Sequence, residues 1–155
     1  MLIDTHSHIY LDKFKPDIAA VIQRADAEGV MKIYLPAIDS TETGNMLELE
    51  AAYPGRCIAM MGLHPCSVKE NFRAELEMVK TWLAKRKFAA VGEIGLDFYW
   101  DKAFTEQQYE AFRMQIEWAL EYDLPIVIHT RNAMSETIAL VKEYVPRGLR
   151  GIFHC

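Results

Sequence analysis

The sequence lacks any long apolar run. None reaches the roughly 18 residues that a membrane-crossing helix needs, so no membrane association is expected. Positive charge is scarce as well: 17 Lys and Arg against 22 Asp and Glu leave a net charge of −5. That balance excludes a general basic footprint for nucleic acid, although bound divalent cations would reverse the sign locally. Cysteine is rare and odd in number, with Cys57, Cys66 and Cys155 far from any close pairing. A disulfide framework is thereby excluded, and free thiols in a reducing cytoplasm are expected. The chain turns polar and acidic within four residues, M-L-I-D, so no secretory signal is expected either. Low-complexity tracts and long linkers are missing too. What remains is 155 residues, 51% of them hydrophobic, enough for one sizeable core, and a single domain over 1–155 is expected.

A regular alternation fills that length. Apolar strand-like runs recur at 2–9, 30–37, 57–63, 88–93, 126–129 and 151–154. Between them lie stretches with helical spacing: Ile18, Val21, Ile22 and Ala25, then Phe72, Leu76, Val79 and Leu83. Tyr109, Phe112, Ile116 and Leu120 follow behind a possible capping box of Thr105 and Gln108. Met134, Ile138, Val141 and Val145 make the last stripe, and Gly44 weakens the helix expected between Ser40 and Tyr53. Strands rich in Val, Ile and Leu that alternate with helices predict a parallel sheet buried on both faces.

Several residues do not belong in such a core. His6 and His8 are two apart, so on a strand both would point to one face. Glu93, His129 and His154 each stand where a strand is expected to finish. Burying such groups unpaired costs several kcal/mol, by the roughly 2–7 kcal/mol for an unbonded polar group. A shared metal site removes that difficulty, and His6, His8, Glu93, His129 and His154 are its candidate ligands. Ligands on separate strand ends meet only if the strands curve round a common axis, which favours a barrel with its site on that face. An open doubly wound sheet would keep His6 and His154 apart, and the Gly-rich phosphate loop it usually carries is missing after the first strand. The expected fold is therefore an α/β (β/α)8 TIM barrel, here truncated to about six strands and five helices.

The motifs D-T-H-S-H at 4–8, G-L-H-P at 62–65, V-G-E-I-G-L-D at 91–97, P-I-V-I-H-T-R at 125–131 and G-I-F-H-C at 151–155 resemble the TatD-type metal-dependent deoxyribonucleases. The similarity runs in order along essentially the whole chain, which resembles about the first three-fifths of such an enzyme. It implies an amidohydrolase-like barrel with two divalent metals, zinc, manganese or magnesium. By the family pattern His6 and His8 hold one metal, His129 and His154 the other, and Glu93 bridges them. His64 and Arg131 match positions that face the substrate phosphate. The family carries one more ligand, an aspartate on an eighth strand, which these residues do not contain.

The implied chemistry is phosphodiester hydrolysis, with DNA as substrate attacked at single-stranded ends. Two cations about 3.5–4 Å apart would clamp the phosphate and stabilise the leaving oxygen. The planar fork of Arg131 suits a phosphodiester. Asp97 is read as a support that orients a histidine or Arg131, and Asp4 as structural. Phe98, Tyr99 and Trp100 offer either a cap on the barrel mouth or a stacking surface for an unpaired base. Two alternatives stay open: a carbon–nitrogen or ester hydrolase of the wider amidohydrolase superfamily, and a non-catalytic truncated barrel. With two open strand edges the 155-residue chain is expected to be inactive alone and to self-associate.

Overall fold

Runs of β-branched and aliphatic residues become six strands: β1 (Leu2–Asp4), β2 (Val30–Leu35), β3 (Cys57–Ala59), β4 (Val91–Asp97), β5 (Ile126–Arg131) and β6 (Gly151–His154). They alternate with α1 (Ile18–Ala27), α2 (Ser40–Ala52), α3 (Phe72–Lys85), α4 (Thr105–Glu121) and α5 (Met134–Tyr144). The computed structural model describes residues 1–154, so Cys155 and its expected free thiol lie outside the described residues. Every pairing is parallel, in the orders β1-β2-β3 and β4-β5-β6. The two sheets meet at a parallel bridge between Met61 and Val91. Strands thus follow one another in chain order round one surface. That surface curves sharply at the carboxyl ends. The Ala37 N–H, just past β2, donates to the Gly92 carbonyl at 2.9 Å, and the Glu93 N–H donates back to Ala37 at 3.3 Å. Segments with β3 between them touch only when the sheet is bending into a barrel.

Helix packing follows the expected stripes in most places. α3 buries Phe72, Leu76, Val79 and Leu83, and α4 buries Phe112 and Ile116. Gly44 does not stop α2. Asp39 caps it by accepting the Thr41 N–H at 3.0 Å, and Met46 and Leu49 are buried beneath it. α5 departs from expectation: Met134, Ile138 and Val145 are exposed, and the buried face runs through Thr137, Leu140 and Tyr144. The phase shifts because Thr137 finds a hydrogen-bond partner, the half-buried Thr130 hydroxyl at 3.1 Å, so a polar residue can face inward. The expected capping box of Thr105 and Gln108 does not form. Thr105 donates instead to the Lys102 carbonyl at 2.9 Å, and Gln108 is turned into the core.

There Gln108 and Gln115, seven residues apart on α4, do the same job at two places. Gln108 accepts the Asp97 N–H at 2.8 Å and donates to the Asp97 carbonyl at 3.0 Å. Gln115 accepts the Leu63 N–H at 2.7 Å and donates to the Leu63 carbonyl at 3.2 Å. Two amides thereby fix the backbone where β4 ends and where the chain leaves β3. On the concave side of the sheet, Met60, Ala90 and Val127 form a second, small apolar cluster. A cavity of about 370 Å³ opens there between β1 and β6, lined by Ile3, Tyr34, Met60, Val127 and Ile152 among others. Among the described residues β1 and β6 each pair on one side only, and Leu2, Ile3, Ile152 and Phe153 are exposed along them.

Candidate metal centre

Glu93 is the middle of the cluster. It is 2% exposed and is the third residue of β4, which continues to Asp97 rather than ending at Glu93 as the sequence suggests. Gly95 makes the continuation possible: its φ of +148° excludes most side chains, and a Cβ there would overlap the His129 carbonyl oxygen. One carboxylate oxygen, Oε2, faces His6 Nε2 at 3.1 Å, His8 Nε2 at 3.6 Å and His64 Nε2 at 3.8 Å. The other, Oε1, faces His129 Nδ1 at 3.2 Å. Burial alone would raise the Glu93 carboxyl, but the histidines around it, His129, His6 and His8, outweigh it and hold the group well below the usual range.

His6 and His8 reach this carboxylate by a different route from the one their spacing implies. β1 stops at Asp4, and both histidines sit in the loop beyond it. Asp4 accepts the His6 N–H at 3.0 Å, which turns the chain, and the two Nε2 atoms then come within 3.3 Å. The protons on His8 can be placed. Tyr10 Oη donates to the Pro36 carbonyl at 2.6 Å, so it accepts from His8 Nδ1 at 2.8 Å. In the neutral ring His8 Nε2 is then the bare nitrogen, and it points at Glu93. The ligand atoms of His6, His8 and Glu93 all lie within 4.8 Å of one another. His6 Nδ1 is buried without a partner. Lone pairs aimed at a shared carboxylate repel unless a proton or a cation lies between them, so this donor set fits a divalent metal.

His129, the fourth residue of β5, is held on both nitrogens, Nδ1 by Glu93 and Nε2 by Asp97 Oδ2 at 2.8 Å. Burial disfavours its charged form, but these two carboxylates prevail and raise its pKa. Asp97 is itself well fixed, by Gln108 on its backbone and by the Tyr99 and Trp100 N–H groups on Oδ1 at 3.0 and 3.3 Å. His154 pairs with His129 in the β5–β6 register, yet its ring stacks on His6 with centroids 3.5 Å apart. The ring beside His129 is that of His64, at 4.4 Å. In ring contacts His154 thus lies with His6 and His8, and His129 with His64.

His64 accepts the Cys66 N–H on Nδ1 at 3.1 Å, which leaves the proton on Nε2. Burial lowers its pKa to about 4, so it is a neutral donor facing the cluster. Its ligand atoms lie near those of Cys66 and His129, but burial pushes the Cys66 thiol up to about 12, with Asp97 adding to the effect. Arg131 is not among the histidines. Its guanidinium lies 3.7 Å over the Tyr99 ring and 5.2 Å over that of Trp100, drawn by the negative ring faces. The sequence did not reveal the roles of Tyr10, Gln108 and Gln115 here. The two glutamines gave one signal, a polar pair at i and i+7 inside an apolar helix face.

The family model for TatD related DNase matches residues 3–155. The chain is 36% identical over 155 residues to the uncharacterized metal-dependent hydrolase YabD of Bacillus subtilis, covering 100% of this chain and 60% of that one. It is 31% identical over 157 residues to the 3'-5' ssDNA/RNA exonuclease TatD of Edwardsiella piscicida, with 99% and 59% covered. The crystal structure of YjjV, a TatD homologue from Escherichia coli, superposes with a TM-score of 0.88 at 34% identity, over 99% of this chain and 59% of that one. A TatD-family hydrolase from Entamoeba histolytica superposes at 0.80 with 25% identity, over 99% and 57%. The chain spans about three-fifths of the length of the curated relatives it matches. Six strands and five α-helices among the described residues thus form part of a TIM barrel, and the chain belongs to the TatD-related DNase family.

Proposed function

We propose that the chain carries the metal-binding part of a metal-dependent phosphodiester hydrolase, a nuclease acting on single-stranded DNA ends within a single TIM-barrel domain. One observation carries the reading: Glu93 is almost fully buried, and its two oxygens address different histidines. The names of relatives, metal-dependent hydrolase and 3'-5' ssDNA/RNA exonuclease, support it. His6 and His8 would hold one divalent ion and His129, with His154 turned from its stacked position, the other, with Glu93 between them. When bound, such ions supply positive charge to the phosphodiester and to the departing alkoxide. The remaining work belongs to the chain. His64, neutral with its proton on Nε2, donates to a phosphate oxygen. Tyr10 and Asp97 fix the tautomers of His8 and His129. Free thiols at Cys57 and Cys66 support a reducing, cytoplasmic setting.

Intact mass of the natural protein fixes its length, and that species is the one assayed. With added Mn²⁺ it should shorten a labelled single-stranded oligonucleotide, and chelator should stop it. Glu93→Gln should lower the rate more than tenfold with an unchanged circular-dichroism spectrum. A wild-type rate in Glu93→Gln would overturn the reading.

A further inference from the structure

The loop after β4 carries more order than a cap on the barrel mouth requires. Asp97 Oδ1 accepts both the Tyr99 and Trp100 N–H groups, and the Phe98 N–H donates to the Arg131 carbonyl at 2.9 Å. Further along, Lys69 holds Asp101 at 2.8 Å, and Asp101 in turn accepts the Ala103 N–H at 2.8 Å. Yet the aromatic side chains this scaffold presents are open to solvent: Trp100 is 68% exposed and Tyr99 50%. Their rings meet edge to face at 4.7 Å, and the Arg131 guanidinium covers one of them. Arg131 belongs to none of the ion pairs among the described residues, while nine other Lys and Arg residues do.

An exposed indole on a loop tied down by these hydrogen bonds, beside a guanidinium with no ion-pair partner among the described residues, suits a planar ring that carries a negative charge next to it. An unpaired nucleobase with its phosphate is such a group. The placement relative to the histidines is fixed twice. Arg131 lies two residues beyond His129 on β5, hence on the same face and about 7 Å along the strand. Asp97 ties the loop with one oxygen and His129 with the other.

We propose that Trp100, Tyr99 and Arg131 form a stacking subsite for the unpaired base at the end of a single strand, and that Asp97 is the positioning residue that sets this subsite against the histidine cluster. The proposal rests on the nuclease reading above. Stacking on Trp100 gives grip without choice of base, and Arg131 shields the adjoining phosphate.

The test is binding, measured in chelator so that cleavage plays no part. A fluorescent single-stranded DNA oligonucleotide is compared with the same strand whose three terminal nucleotides at each end are abasic. The natural-length protein should prefer the base-bearing strand by roughly tenfold or more, the range seen when one base stack is lost. Trp100→Ala should abolish that preference while leaving affinity for the abasic strand unchanged and, in a separate titration without chelator, affinity for Mn²⁺ unchanged. Arg131→Ala should weaken both strands alike. Equal binding of the two strands by the wild-type protein, or a preference that survives Trp100→Ala, would overturn the subsite. Chelator-sensitive cleavage is scored separately, so a nuclease without this subsite and a protein that is no nuclease give different results.

Discussion

Replacing Gln108 by leucine removes an amide but hardly changes the volume, so it isolates two buried hydrogen bonds from any cavity effect. The side chain is 3% exposed and accepts the Asp97 N–H at 2.8 Å while donating to its carbonyl at 3.0 Å. Leucine leaves both backbone groups bare. Each unsatisfied group costs about 1–3 kcal/mol, so the loss should total roughly 2–5 kcal/mol after some relaxation. With a urea dependence of about 1–3 kcal/mol per M, the unfolding midpoint should fall by about 1–3 M. Gln115→Leu is the matched control, because Gln115 is 1% exposed and makes the same two bonds to Leu63. Both variants should lose similar stability. Only Gln108→Leu should also weaken Mn²⁺ binding by calorimetry, because Asp97 carries the carboxylate that holds His129. A stability within about 0.5 kcal/mol of wild type, the range of neutral surface changes, would refute the role of the clamps. Equal weakening of Mn²⁺ binding in both variants would refute the transmission through Asp97.

Asp97→Asn should separate the two jobs of that residue. Its amide oxygen can still accept the Tyr99 and Trp100 N–H groups, but its NH₂ cannot accept from His129 Nε2. Metal affinity should fall about 10–100-fold while base preference survives, and unchanged metal affinity would count against the assignment. A second expectation concerns the open edges: the 155-residue chain should run as an oligomer by light scattering, through β1 and β6 with their exposed Leu2, Ile3, Ile152 and Phe153. Ile152→Lys should shift it toward monomer. A monodisperse, heat-resistant monomer of the unaltered chain would show that those edges are inert.

The strand and helix order was legible in the sequence because parallel strands buried on both faces leave continuous apolar runs, and each is followed by an amphipathic stripe. Glu93, His6, His8 and His129 stood out for a related reason: groups that cost energy to bury recurred beside strand after strand. What the sequence could not show was which groups find partners. Thr137 turns inward because Thr130 is there to meet it, and that sets the phase of α5. Gln108 looks like half of a capping box until β4 is seen to end beside it. The two histidines of D-T-H-S-H come together through Asp4 and Tyr10 in a loop, not through strand periodicity. Arg131 and His154 show the same limit. Their distances from neighbours along the chain are fixed, but their side chains choose the Tyr99 and His6 rings through contacts made only in the folded protein.

The most direct measurement is an anomalous-difference map from crystals of the natural-length protein soaked in Mn²⁺, with data collected on the high-energy side of the manganese edge. Two peaks should flank the Glu93 carboxylate, one beside His6 and His8 on the Oε2 side and one beside His129 on the Oε1 side. A map with no peak in this cluster, or with a single peak that leaves one Glu93 oxygen bonded only to protein, would contradict the assignment of Glu93 as the bridge between two metal ions.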